Sequence, residues 1–180
     1  MSPEPPNRAY YRSVEGHWSG PLDLAITDWR AFRVCPMGLA DRLRVLSMVL
    51  TARLLGPCRL NTSVDASGAA RDEVVHTTRV SKWGVTLMRS VERIALAANG
   101  RDVTMQIEMR LAPTLWRARI EPGSPALVDA SGRRASYRFT WFGTEMRQEA
   151  ERSPDGGTVT LTQLTDFSRG VQVLRRRAGP

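Results

Sequence analysis

Residues Glu15 to Leu24 read EGHWSGPLDL, and the fold turns on how they are taken. From Trp18 to Ile26 the chain alternates: Trp18, Gly20, Leu22, Leu24 and Ile26 share one side, while Ser19, Asp23 and Thr27 share the other. Successive strand side chains point to opposite faces, so a period of two marks a half-buried strand. A strand has no need of Gly-His-Trp-Ser-Gly at its start. The Trp can be an ordinary core residue, the plug of a small barrel, or part of a cofactor site.

On the N-terminal side, residues 1–13 are Pro-rich and polar and are expected to form a loose arm, with one domain over 14–180. On the C-terminal side, WRAFRVCPMG reads as a loop. Leu39, Leu43, Leu46, Val49, Leu50 and Leu54 then recur at helical spacing, predicting a helix over 39–55 with those residues on its packed face. Asp41 suits its first turn, and Gly56-Pro57 stops it.

Beyond Pro57 short alternating segments follow one another, separated by turn signals such as ANGR, EPGSP and SPDGG. Val103, Met105, Ile107 and Met109 face away from Thr104, Gln106, Glu108 and Arg110. Ala135, Tyr137, Phe139 and Trp141 do the same against Ser136, Arg138 and Thr140. The expected fold is therefore all-β with one helix: an antiparallel up-and-down β-barrel of about ten strands, the helix after the first strand. Closure is preferred to an open sandwich because a long meander would otherwise expose edges.

A first strand with Gly16-His17-Trp18, then a helix, then a meander ending in an Arg-bearing strand resembles the calycin group of lipocalins, fatty-acid-binding proteins and nitrobindin-like haem barrels. The resemblance implies that Trp18, two residues after Gly16, closes one barrel end under an Arg of a late strand, Arg169 or Arg175. It implies a small apolar or amphipathic ligand inside. The Arg-x-Tyr pair with which many fatty-acid-binding proteins grip a carboxylate is missing from the last strand.

Strand parity gives the expected interior. It collects Thr62, His76, Thr78, Met105, Ile107, Met109, Tyr137, Phe139, Trp141, Gln148 and Gln163, with Leu60, Val74, Met146, Leu161 and Leu174. An apolar wall with a few polar groups is how small-molecule pockets are built. His76 sits on the apolar parity of EVVHTTRV, and Glu92 shares parity with Ile94 and Leu96. An inward imidazole can be a hydrogen-bonded core group, can ligate haem iron, or can act as a base oriented by Glu92 with Tyr137 assisting. The reading is of non-catalytic ligand binding, the alternatives being an isomerase- or cyclase-type enzyme or a haem barrel.

The chain has 180 residues and a net charge of +8, yet all but one of its 26 basic residues are arginines spread along the strands. Only LRRRAGP is clustered, without aromatic residues to stack bases, so nucleic acid is not expected as a partner. Arg42, Arg44 and Arg53 flank the apolar face of helix 39–55, which can pack on the barrel or touch an anionic membrane transiently. No apolar run approaches the ~20 residues of a membrane span. With no secretory pattern at the start, a cytoplasmic location is expected. Cys35 and Cys58 have no CxxC or ligand-spaced histidine, so no metal site is expected and both read as small buried groups.

Overall fold

The computed structural model describes residues 4–68, 72–111, 114–120, 127–141 and 143–177, excepting the side chains of Arg44, Met48, Ala52, Leu55, Leu111, residues 114–120 and Trp141. Helix α1 (Pro6–Ser13) leads into β1 (Gly16–Ile26), followed by α2 (Trp29–Val34) and α3 (Leu39–Leu55). An antiparallel meander then runs through β2 (Cys58–Asp65), β3 (Glu73–Lys82), β4 (Val85–Leu96), β5 (Val103–Leu111) and β6 (Thr114–Ile120). It continues with β7 (Leu127–Val128), β8 (Arg134–Trp141), β9 (Thr144–Arg152), β10 (Thr158–Leu164) and β11 (Ser168–Arg176).

The strand order is β6-β5-β4-β3-β2-β1-β11-β10-β9-β8-β7, so the first strand lies between the second and the last. That pairing curls the sheet into a nearly closed barrel of ten strands and the two-residue β7. At the seam β6 and β8 come into contact, and Asp102 at the β4–β5 hairpin bridges Leu127. Among the described residues no helix is long and apolar enough to cross a membrane.

Gly16 has φ +115°, a region closed to most side chains, and turns the chain from α1 into β1. At Gly20 a Cβ would sit 2.2 Å from the Val173 carbonyl oxygen, so only glycine lets β1 and β11 approach there. Trp18, 2% exposed, donates its indole N–H to the Val14 carbonyl at 2.8 Å. The guanidinium over its ring, 4.8 Å from the centroid, belongs to Arg176. Arg169 and Arg175 are both exposed and pair across β1 with Ala25 and Ser19, whereas Arg176 is the residue opposite Trp18. The cation expected at Arg169 or Arg175 is thus at neither.

The loose arm expected over residues 1–13 is, from Pro6 onward, a helix packed on this end of the barrel. Pro6 opens it where a missing N–H is harmless. Asn7, Tyr10, Tyr11 and Val14 fall on one helical face and are buried. The Asn7 amide donates to the Ala97 and Asp102 carbonyls, and Arg8 pairs with Asp72 at 2.6 Å. Arg176 donates to the Ser13 carbonyl at 2.6 Å, placing a cation at the negative end of α1.

The opposite end is covered by α2 and α3. Asp28 caps α2 by accepting from the Arg30 and Ala31 amides, and Phe32 packs on Phe167 at the β10–β11 turn. A second apolar cluster of Ile26, Phe32, Met37, Val45, Val49, Met146 and Phe167 sits beneath. The face of α3 differs from expectation: Val45, Val49 and half-buried Leu46 point inward, while Leu39, Leu43, Leu50 and Leu54 are exposed. The leucines repeat helically but lie on the far side from Val45 and Val49. Periodicity reveals an apolar stripe without saying what it faces.

Candidate functional site: the barrel interior

The antiparallel ladders set residues side by side in rows. One row runs Val64, His76, Glu92, Ile107 across β2 to β5, and the next runs Thr62, Thr78, Ser90, Met109. His76 and Glu92 are therefore cross-strand neighbours on the inner face, at the distance where side chains pair. His76 Nδ1 lies 2.6 Å from Glu92 Oε2, and His76 Nε2 lies 2.5 Å from Thr62 Oγ1. Thr62 in turn donates to the Thr77 carbonyl at 3.1 Å and contacts Thr78 Oγ1 at 3.0 Å.

Burial opposes a charge on His76, but the Glu92 carboxylate outweighs it through its charge and its hydrogen bond, raising the His76 pKa above the ordinary value. The pair keeps 20% and 13% side-chain exposure, and both residues line the cavity. An imidazolium donating from Nδ1 to Glu92 and from Nε2 to Thr62 satisfies every partner. That favours a closed network over a base with a lone pair aimed at a substrate.

Across the interior, Tyr137 of β8 shares a 2.5 Å hydrogen bond with Tyr11 of α1. Burial pushes both phenols up, so they stay protonated, and the same holds for Tyr10. This polar level divides the interior. Toward α2 and α3 lies a cavity of about 90 Å³, walled by Leu22, Leu24, Val80, Met88, Met109 and Phe139 and reaching His76, Glu92, Tyr137 and Gln148. Toward α1 lies a smaller space of about 60 Å³ bounded by Tyr10, Tyr11, Val14 and Trp18. Both exceed the ~10–15 Å³ that one water needs.

Of the residues expected inside, His76, Thr78, Met105, Ile107, Met109, Tyr137, Phe139, Gln148 and Gln163 all border the larger cavity. Thr62 borders the smaller one. Trp141 pairs through its backbone with Thr144, and its side chain lies outside the described residues. The plug tyrosines Tyr10 and Tyr11 and the inward Gln172 were not foreseen. Asn7, Tyr10, Tyr11 and Val14 at i, i+3, i+4 and i+7 carried the first signal, and Gln172 shares the parity of Leu174.

Both His76 ring nitrogens are engaged, Nδ1 with Glu92 and Nε2 with Thr62. Among the described residues no three His, Cys, Asp or Glu side chains gather as a metal site. Cys58 is buried in the core, and Cys35 donates its thiol to the Phe32 carbonyl.

The architecture and interior define an antiparallel β-barrel with an internal cavity, compatible with a calycin-like barrel. No protein-family model matches the chain, and no curated protein matches it in sequence.

Proposed function

We propose that the protein binds a small amphipathic molecule inside the barrel and does not transform it. The observation that carries this reading is the larger cavity, an apolar wall interrupted by a few polar groups, His76, Glu92 and the glutamines. Its methionines, Met88, Met105, Met109 and Met146, give a wall that adapts to a flexible chain. The closed Glu92–His76–Thr62 network argues against the enzyme alternative, because the imidazole offers no free base to a substrate.

The exterior of the lid supports the same reading. Trp29, Val34, Leu39, Leu43, Leu50 and Leu54 are exposed on α2 and α3, beside the exposed Arg30, Arg33 and Arg53. That chemistry suits exchange of the ligand at an anionic lipid surface.

The test is titration with the uncharged dye N-phenylnaphthylamine, whose emission rises in apolar surroundings. Saturable binding at one site is expected in the wild type and at least tenfold weaker binding in Met109→Trp, which fills the cavity. Dye binding undiminished in a folded Met109→Trp variant places the dye elsewhere and removes the reading.

A further inference from the structure

The wall opposite His76 and Glu92 carries three glutamines on adjacent strands, Gln148 of β9, Gln163 of β10 and Gln172 of β11. Gln148 and Gln163 are directly opposed in the ladder. Gln163 faces Gly170, and a Cβ there would lie 3.5 Å from Gln163 Oε1, so the missing side chain leaves the Gln163 amide room to reach sideways. The three amides form a one-way chain: Gln172 Nε2 donates to Gln163 Oε1 at 3.2 Å, and Gln163 Nε2 donates to Gln148 Oε1 at 2.9 Å.

A chain of this kind leaves an acceptor at one end, Gln172 Oε1, and the donor hydrogens of Gln148 Nε2 at the other. Gln172 is 2% exposed and borders the cavity, and its Oε1 is, among the described residues, the one buried side-chain oxygen without a hydrogen-bond partner. Leaving such an oxygen bare is costly, so it marks a place where a donor belongs. The rest of the wall says which donor. No Arg or Lys borders the cavity among the described residues, and its charged groups are His76 and Glu92, already paired with each other. An anionic head would meet the Glu92 carboxylate with no free cation to receive it.

We propose that the ligand carries an uncharged hydrogen-bond-donating head, a hydroxyl or primary amide on an apolar chain, and that Gln172 Oε1 accepts from it. The inference rests on the carrier reading above and narrows it to a ligand class.

Displacement of N-phenylnaphthylamine by octanol, octanamide, octanoate and octane tests it. Octanol and octanamide are expected to compete at least tenfold better than octanoate. Gln172→Met, close in shape, is expected to weaken octanol about tenfold and leave octane unchanged. Octanoate competing as well as octanol overturns the assignment of the head while the carrier reading stands, because the cavity is then shown to be filled. Octanol affinity unchanged in Gln172→Met overturns the role of Gln172. Absence of dye binding to the wild type overturns both readings. Should Gln172→Met fail to fold, the comparison of heads on the wild type decides alone.

Discussion

The two ends of the barrel are closed by different chemistry. At one end α1 is tied down by directed bonds: Asn7 to two carbonyls of the β4–β5 hairpin, Arg8 to Asp72, Tyr11 to Tyr137, and Arg176 to both Ser13 and Trp18. At the other end α2 and α3 rest on the sheet mainly through apolar contacts of Phe32, Val45 and Val49, with Lys82 of β3 donating to the Gly56 carbonyl at the end of α3 at 2.6 Å, while Leu54 on α3 is 79% exposed. Directed bonds fix one geometry, and apolar contacts tolerate sliding. One end is built as a plug and the other as a lid, and the larger cavity lies on the lid's side of the polar floor.

Breaking the plug carries the largest expected effect. Trp18→Ala removes a fully buried indole, its bond to Val14 and the surface on which Arg176 lies. The loss expected is about 3–5 kcal/mol of folding stability, with up to ~1–2 kcal/mol of that belonging to the cation. Urea unfolding followed by circular dichroism measures it. A loss below ~1 kcal/mol would mean that this end is no more firmly closed than the lid.

The floor between the two ends gives a pH signature. The His76 pKa is raised in the folded chain, so the folded state holds its proton more tightly than the unfolded one. The stability from this group is fully present below the unfolded value of about 6.5 and is lost as pH rises through the higher folded value. Stability measured from pH 6 upward is expected to fall by at most about 1.4 kcal/mol per pH unit across that window. In Glu92→Gln the raising charge is gone, and the slope should flatten or reverse, since burial alone lowers an imidazole pKa. An unchanged slope in that variant would show that Glu92 does not set the titration.

How much of this was legible in the sequence follows from which forces are local. The barrel was, because alternation in β1, β5 and β8 reports directly on which face of a strand is buried. His76 and Glu92 could be placed on one inner face by the same parity, although their direct contact depends on the register between β3 and β4, which shifts between Val80 and Ser81. The cation on Trp18 was missed by one position because the β1–β11 register joins chain segments about 160 residues apart. The plug was missed because Pro5 and Pro6 look like a linker until a barrel end is present to bury Tyr10 and Tyr11. The outward leucines of α3 were misplaced for the converse reason: a helix carries its period in the sequence and takes its orientation from its neighbours.

Those leucines give the smallest expected effect on stability and the sharpest contrast between the ends. Leu43→Glu with Leu50→Glu alters side chains that are 57% and 43% exposed, so folding stability should move by only about 0.5 kcal/mol per site. If the lid meets an anionic surface, wild-type protein should co-sediment with phosphatidylglycerol-rich vesicles more than with phosphatidylcholine ones, and the double variant should lose most of that binding. Equal sedimentation of variant and wild type would separate the apolar stripe from membrane contact and leave attraction of the +8 chain as its source. Loss of binding at unchanged stability would instead establish that the outer face of the lid is free to act, the property the plug lacks.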